Sequence, residues 1–391
     1  MVYFCEINKT DAEHAMVNRS LLGILREAYP EEEIRVYMSP SHLDATGIQN
    51  VTDKNLTIQT IPVLSPLAGN KKRWIQKLWS EAKTLKRILK QFQKAEGRLL
   101  FFSSLSPLGA KLLSHYARRY ALSGQIMATL HGELQLLSAK PTKKIDRFYA
   151  SCLRQALSAS VEGLRWLVLG DAVKSKLNDL GFAFSDKSIS IPHPLREPLP
   201  LLPPKSPKPL VFGHIGVAKQ TKHSPLFFAW AEELQAEISK GNVRFILAGP
   251  VLQDMKGYTN PWVEHSPTDQ FLSDEAFQAA CQQMHYAVFL YEEAQYGLIS
   301  SGAITEAISF EIPILAVKSV QIERLFAQVP HAPGKIYPNK EALQADLPRL
   351  MALGAPDPAM ILGIRQLKAL YDIPSLAKLL KDQIDTASTH G

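Results

Sequence analysis

The chain has 391 residues, enough for two domains of ordinary size. With 46% hydrophobic and 21% charged residues it reads as a soluble globular protein, which excludes a disordered one. Lys and Arg outnumber Asp and Glu by 44 to 37, a formal net charge of +7 that favours an anionic partner.

The opening residues, MVYFCEINKTD, turn polar too soon for a signal peptide, and no apolar run reaches the length of a membrane span. Cys5, Cys152 and Cys281 are scattered and odd in number, with no CxxC pair. They indicate neither a disulfide framework nor a zinc site and fit a reducing, cytoplasmic setting. The first half then alternates. Strands are predicted over 2–7, 34–38, 56–63, 99–102, 125–130, 166–169 and 188–191. A helix is predicted over 12–28, with Asp11 as its cap, and another over 107–120 with Pro107 at a tolerated first position. Such alternation argues for a parallel sheet covered on both faces, with ligands at the carboxyl ends of the strands. Two histidines fall near such ends. The loop Asn8-Lys9-Thr10 leads into a helix bearing His14, and Leu130-His131-Gly132-Glu133 directly follows a buried strand.

Residues 70–94 differ from their surroundings. Trp74, Leu78, Leu85, Ile88, Leu89 and Phe92 form an apolar stripe at helical spacing. Lys71, Lys72, Arg73, Lys77, Lys83, Lys86, Arg87, Lys90 and Lys94 crowd the rest, from Asn70 onward, against Glu81 as the one acid. A helix in a crossover must bury one face, so the stripe is expected in the core. The basic face is expected to attract an anionic membrane surface or an anionic acceptor, which would put the protein at the inner face of the membrane as a peripheral partner.

Between Pro192 and Pro209 the text PHPLREPLPLLPPKSPKP sustains neither helix nor central strand and reads as a stiff linker, most clearly over 196–209. It separates a domain over 1–195 from one over 210–371. The second half restarts with a strand at 210–212 and the loop GHIGVAKQTK, followed by a helix over about 224–238. Gly216 permits close backbone approach, and Lys219 and Lys222 offer cations. The loop matches neither a Walker sequence nor GxGxxG. A strand over 243–247 exits through Ala248-Gly249-Pro250. Then Met284 to Val317 gives strand, polar loop, helix, strand. The strand runs over 287–291, the loop from Glu292 to Gly302, the helix from Gly302 or Ala303 to about Phe310, and the last strand over 314–317. Ser300, Ser301 and Gly302 lie at the helix N-terminus, where free N–H groups and the dipole suit a phosphate. Glu306, about one turn in, suits a ribose diol. The tail reads as two helices, 359–371 and 375–384, broken at Pro374. Residues 372–391 then form a last helix that either crosses back to the first domain or closes a hairpin.

Tyr296-Gly297, Ser300-Ser301-Gly302, Glu306-Ala307 and Pro313-Ile314-Leu315-Ala316 together resemble the donor site of GT-B glycosyltransferases, in particular the retaining family 4 type. The resemblance is densest over 213–317. It implies an α/β fold of two doubly wound, Rossmann-like domains facing across a cleft. It also implies a hexosyltransferase that moves a sugar from a UDP- or GDP-sugar to a glycan or lipid-linked acceptor, with no further cofactor. The family's paired glutamates are separated by seven intervening residues. Here Leu298 stands eight before Glu306, with Glu292 and Glu293 further back. By resemblance, Lys219, His131 and Glu306 are the catalytic candidates. Donor contacts fall to Gly216, Lys219, Lys222, Tyr296, Gly297, Ser300, Ser301, Gly302 and Glu306, with residues 262–268 near the nucleobase. His14 and Glu133 fall to the acceptor. No Asp-x-Asp occurs, so no metal ligand set is expected. Two other classes fit the same residues: an epimerase acting on a sugar nucleotide, and a non-catalytic partner of another transferase. Nucleic-acid binding rests on charge alone, without interleaved aromatics or a recognisable module, and is not expected.

Overall fold

A computed structural model describes the chain except residues 65–70, 121–123, 139, 140, 142, 183–186, 201, 204, 207, 268, 293–295, 390 and 391, and the side chains of 71, 72 and 387–389. Asn70, Thr268, Glu293 and part of the proline-rich linker therefore lie outside the described residues, as do the side chains of Lys71 and Lys72. The chain divides into two compact units. The first holds Met1–Glu197, Leu298–Ser300 and Ile373–Gly391, and the second Pro198–Gly297 and Ser301–Asp372.

In the first unit, short apolar runs pair as seven parallel strands. They are β1 (Val2–Glu6), β2 (Ile34–Met38), β3 (Leu56–Thr60), β4 (Leu99–Ser104), β5 (Gln125–Leu130), β6 (Leu164–Leu169) and β7 (Ser188–Ile191). Their order is β3-β2-β1-β4-β5-β6-β7. Every residue of β1 and β4 is buried, as expected for central strands covered on both faces. Alternate side chains feed two apolar layers. Tyr3 and Cys5 join Leu85, Leu89, Leu113 and Leu153 on one face. These come from α3 (Lys71–Lys94), α4 (Pro107–Tyr120) and α5 (Lys144–Ser158). Val2 and Phe4 join Leu21, Leu25, Leu376 and Leu380 on the other, from α1 (Ala15–Ala28) and the last helix, α14 (Ile373–Thr389). Two short helices, α2 (Pro40–Thr46) and α6 (Asp171–Asp179), complete the unit.

The second unit repeats the scheme. Six parallel strands, β8 (Leu210–Ile215), β9 (Val243–Ala248), β10 (Val263–Glu264), β11 (Tyr286–Phe289), β12 (Ile314–Val317) and β13 (Gly334–Tyr337), run in the order β10-β9-β8-β11-β12-β13. The helices are α7 (Ser224–Glu233), α8 (Gln235–Ser239), α9 (Asp274–Gln283), α10 (Gly302–Ser309), α11 (Val320–Phe326), α12 (Lys340–Leu353) and α13 (Pro358–Leu370). Phe212, Phe227, Trp230, Phe245 and Tyr286 pack in one buried core.

Several boundaries differ from the sequence reading. The first helix begins at Ala15, because Asp11 and His14 take left-handed backbone angles (φ 53° and 63°) and His14, not Asp11, is the N-terminal flanking residue. The helix expected over 224–238 breaks at Leu234 into α7 and α8. The strand expected over 56–63 ends at Thr60. The tail is two helices, as expected, but the break falls at Tyr371-Asp372, and Pro374 is the second residue of α14, where its missing N–H costs no helical hydrogen bond.

Helix α14 seals one face of the first sheet. Leu376, Leu380 and Ile384 are at most 4% exposed, and the Gln383 amide exchanges two hydrogen bonds with the Ser190 backbone, at 3.1 and 2.8 Å. Truncating a buried leucine forfeits both transfer energy and packing. Leu380→Ala is expected to lower the stability of the first unit by roughly 2–5 kcal/mol in urea titration. A loss below about 1 kcal/mol would contradict the docking of α14.

Candidate functional site

In the second unit the carboxyl ends of β8, β9 and β11 meet the start of α10. Gly216 follows β8 with φ 86°, and its N–H donates to the Ala248 carbonyl at 2.7 Å. A Cβ on Gly216 would stand 3.3 Å from Lys222 Nζ and 3.6 Å from the Ala303 Cβ. Only glycine meets both the backbone angle and the space. The same numbers show that Lys222 Nζ, the β8 loop and the first turn of α10 converge on one spot. Gly249 closes the back of the loop, since a Cβ there would lie 2.4 Å from the Gly216 carbonyl oxygen.

Lys222 is the electrostatic centre of this spot. Burial, and secondarily Lys219, push its pKa down to about 8. Among the described residues no carboxylate forms an ion pair with it. Its ammonium lies 5.9 Å from the Tyr291 ring centroid, and that of Lys219 lies 5.8 Å from Tyr296. The two rings stack on each other at 4.2 Å. Tyr291 also shares a 2.5 Å hydrogen bond with Ser301 Oγ, which takes that hydroxyl away from capping α10. The first N–H groups of a helix have no partner within it, so the N-terminus at Gly302 adds positive potential where Lys222 already stands. On the other side of the loop, Ser224 Oγ accepts the Lys219 N–H at 3.1 Å and bonds His214 Nε2 at 2.9 Å. The arrangement suits a compact polyanion.

Of the other sequence candidates, Gly297 is buried and Tyr296 is 9% exposed. Glu306 is half-buried on the second turn of α10. Ser300 is grouped with the first unit, whereas Ser301 and Gly302 belong to the second. Leu298 is 1% exposed, an apolar side chain out of water. Glu292 pairs with Lys340 at 2.5 Å and lies 3.7 Å from His223, and the Lys340 hydrogen bond holds its carboxyl below the usual range. Trp262, placed near the nucleobase in the sequence reading, is partly buried against the core of this unit.

At the carboxyl edge of the first unit stands a different chemistry. The Glu6 carboxylate is fully buried and accepts the N–H groups of Asn8 and Lys9, each at 2.8 Å. It also accepts from Asn18 Nδ2 at 3.0 Å and from the hydroxyls of Ser103 and Ser104 at 2.9 and 2.8 Å. The protein's own carboxylate thus fills the β1 loop, where loop N–H groups could otherwise meet an anion. His131 Nε2 lies 2.7 Å from the Ser103 carbonyl. A carbonyl only accepts, so Nε2 carries the proton and Nδ1 keeps a lone pair when the ring is neutral. The ring of His14 sits edge-on to it at 4.5 Å, and burial, then His131, hold the His14 pKa well below its ordinary value. The Glu133 carboxylate accepts the His131 backbone N–H at 2.9 Å, so it supports the turn beside that ring. His42 bonds the Asp11 carbonyl through Nδ1 and Asn18 through Nε2, at 2.7 and 2.8 Å, and braces the loop that carries His14.

The sequence reading missed Tyr291, His214, Ser224, Lys340 and Glu6. An apolar strand ending in Tyr291 gave no sign of a stacked partner five residues on. A glutamate closing β1, Val2-Tyr3-Phe4-Cys5-Glu6, was a readable signal, since a charge ending a buried strand needs several donors.

Neither a protein-family model nor a curated protein sequence matches the chain. Solved structures do. A sucrose-phosphate synthase from Thermosynechococcus elongatus aligns over 100% of both chains with TM-score 0.66 and 12% identity. An α,α-trehalose-phosphate synthase (UDP-forming) from Burkholderia vietnamiensis aligns over 100% of this chain and 98% of its own, with TM-score 0.62 and 10% identity. The Anabaena protein HepE, in complex with UDP, aligns over 99% of this chain and 100% of its own, with TM-score 0.63 and 11% identity. At these identities the likeness is one of fold, and the fold is GT-B, two parallel α/β sheets in two units.

Replacing Glu6 by Gln keeps the shape but sets an amide group among five donors. Glu6→Gln is expected to destabilise the first unit by roughly 1.5–3 kcal/mol, measured by chemical denaturation. A neutral outcome would show that the loop is held by other contacts.

Proposed function

We propose that the protein transfers a sugar from a nucleoside-diphosphate sugar, with UDP or GDP as the leaving group, to a glycan or lipid-linked acceptor. The observation that carries this is the half-buried ammonium of Lys222, without an ion-pair partner among the described residues, beside Gly216 and the start of α10. A partly desolvated cation favours an anion, and a diphosphate brings two phosphoryl groups to two lysines and a helix N-terminus. The HepE complex with UDP supports a uridine nucleotide. In this reading Lys219 and Lys222 stabilise the charge that develops on the departing diphosphate, which is the step a metal serves elsewhere. The reading is therefore metal-independent, and by resemblance the anomeric configuration is retained. Tyr296, Gly297, Ser301 and Gly302 shape the donor pocket, and Glu306 accepts the ribose hydroxyls. The first unit contributes its carboxyl edge, where burial favours the neutral form of His14 and the His131 ring stands beside it, while its β1 loop is closed to anions by Glu6.

Glu306 gives the test. A carboxylate accepts both ribose hydroxyls in charge-assisted bonds, and Glu306→Gln loses the charge and one acceptor. Affinity for the nucleotide sugar, by calorimetry, is expected to fall by roughly 1.5–3 kcal/mol while the melting temperature is retained. Unchanged affinity in a folded Glu306→Gln protein would overturn the donor-site reading.

A further inference from the structure

Helix α3 has two faces that the fold treats in opposite ways. Leu85, Ile88 and Leu89 are 0% exposed and Phe92 is 1% exposed, all in the core. The one acid, Glu81, is also turned inward. It is 4% exposed, and its carboxylate accepts the Ser106 N–H at 2.9 Å and the Ser106 hydroxyl at 2.5 Å, bracing the start of α4. Lys77, counted with the basic face from sequence, is half-buried on the same side, and burial lowers its pKa. What remains outside is free of acid: Lys83, Lys86, Arg87, Lys90 and Lys94 are exposed along successive turns.

Near its N-terminal end the same outer face carries two apolar side chains in water. Ile75 and Trp79, one turn apart, are 52% and 76% exposed. They do not stand alone. Trp74 donates from Nε1 to the Tyr149 hydroxyl at 2.9 Å and meets Phe148 edge-on at 6.3 Å. This brings α5 alongside, with Phe148 itself 41% exposed and Lys144 and Arg147 exposed on the first turn. Because α3 runs back from the end of β3 to the start of β4, these aromatics lie at the carboxyl edge of the sheet, the edge that holds His14 and His131.

We infer that this surface of α3 and α5 docks on an anionic lipid bilayer. The cations meet the headgroup charge, and Trp79, Ile75 and Phe148 enter the interfacial layer, where aromatic side chains with apolar bodies and polar tips are favoured. The charge is complementary to an anionic bilayer and self-repelling toward a second copy. The exposed apolar side chains are few and lie beside a row of cations, so they fit a soft, anionic headgroup layer better than an apolar protein surface. None of the described helices is long and apolar enough to cross a membrane, so the contact is one of surface. Docking does not rest on the proposed donor chemistry. If both hold, the bilayer meets the edge where a lipid-linked acceptor would be used.

The test is sedimentation of the full chain with phosphatidylcholine vesicles, alone and with about one third phosphatidylglycerol. Binding is expected to the anionic vesicles only, and to be reversed by high salt. Each basic residue near an anionic surface contributes about a fivefold change in partitioning, so the variant with Lys83, Lys86, Arg87 and Lys90 all changed to Gln should partition several hundredfold less, on the order of six hundredfold if the four add independently. Trp79→Ala should weaken binding separately without loss of charge, and since Trp79 is 76% exposed the variant should fold. Absence of binding by the native chain, equal binding to neutral vesicles, or undiminished binding by the four-residue variant would each overturn the inference. Nucleotide-sugar affinity measured without vesicles reports separately on the donor reading.

Discussion

The second unit is arranged around an unbalanced charge. Enclosing the Lys222 ammonium with its pKa near 8 penalises the charged form by about 3 kcal/mol relative to water. For a lysine so depressed, the cost to folding is present in full below about pH 8 and is relieved as the pH rises toward the ordinary lysine value. A carboxylate beside it would have removed that cost, and Glu292, on the same loop, is instead held by Lys340. Among the described residues, then, no carboxylate offsets the positive potential of the site.

The surrounding fold serves that spot. Parallel strands with crossover helices bring the ends of β8, β9 and β11 and the N-terminus of α10 to one edge, so the helix dipole adds to the lysines. Glycine at 216 leaves open the space between backbone, ammonium and helix start that a Cβ would fill. In the first unit the same topology has the opposite electrostatics. Glu6 fills the β1 loop from within, and at the same edge burial holds the His14 pKa well below its ordinary value. In the proposed function, anion recognition falls to the second sheet and hydroxyl recognition to the first.

Much of this was legible in the residues. Uninterrupted apolar runs such as Leu99 to Phe102 announce strands covered on both faces, and the turn at Ser301-Gly302 with Ala303, Ile304 and Ala307 behind it announces a helix N-terminus. Lys219 and Lys222 were visible as cations in a glycine loop. What stayed hidden depends on partners distant in sequence. Nothing near Glu81 shows that it turns inward to Ser106, 25 residues away, or that Glu6 reaches Ser103 and Ser104. The late start of α1 has the same origin: the Asp11 carbonyl is engaged by His42 from α2, and the chain holds left-handed angles at Asp11 and His14 before it can turn helical. Local propensity predicts elements, and these long-range polar contacts adjust where they begin.

The most direct test of the account is the pH dependence of nucleoside-diphosphate binding by calorimetry. Above pH 7 the terminal phosphate has already lost its last proton, its pKa being about 6, so the ligand's charge is constant. Lys222 loses its proton across the same interval. Affinity is predicted to fall roughly tenfold between pH 7 and pH 9. That slope should vanish in Lys222→Met, which binds weakly throughout. A native profile that is flat over this range, or one whose slope survives Lys222→Met, would contradict the claim that this buried ammonium holds the diphosphate.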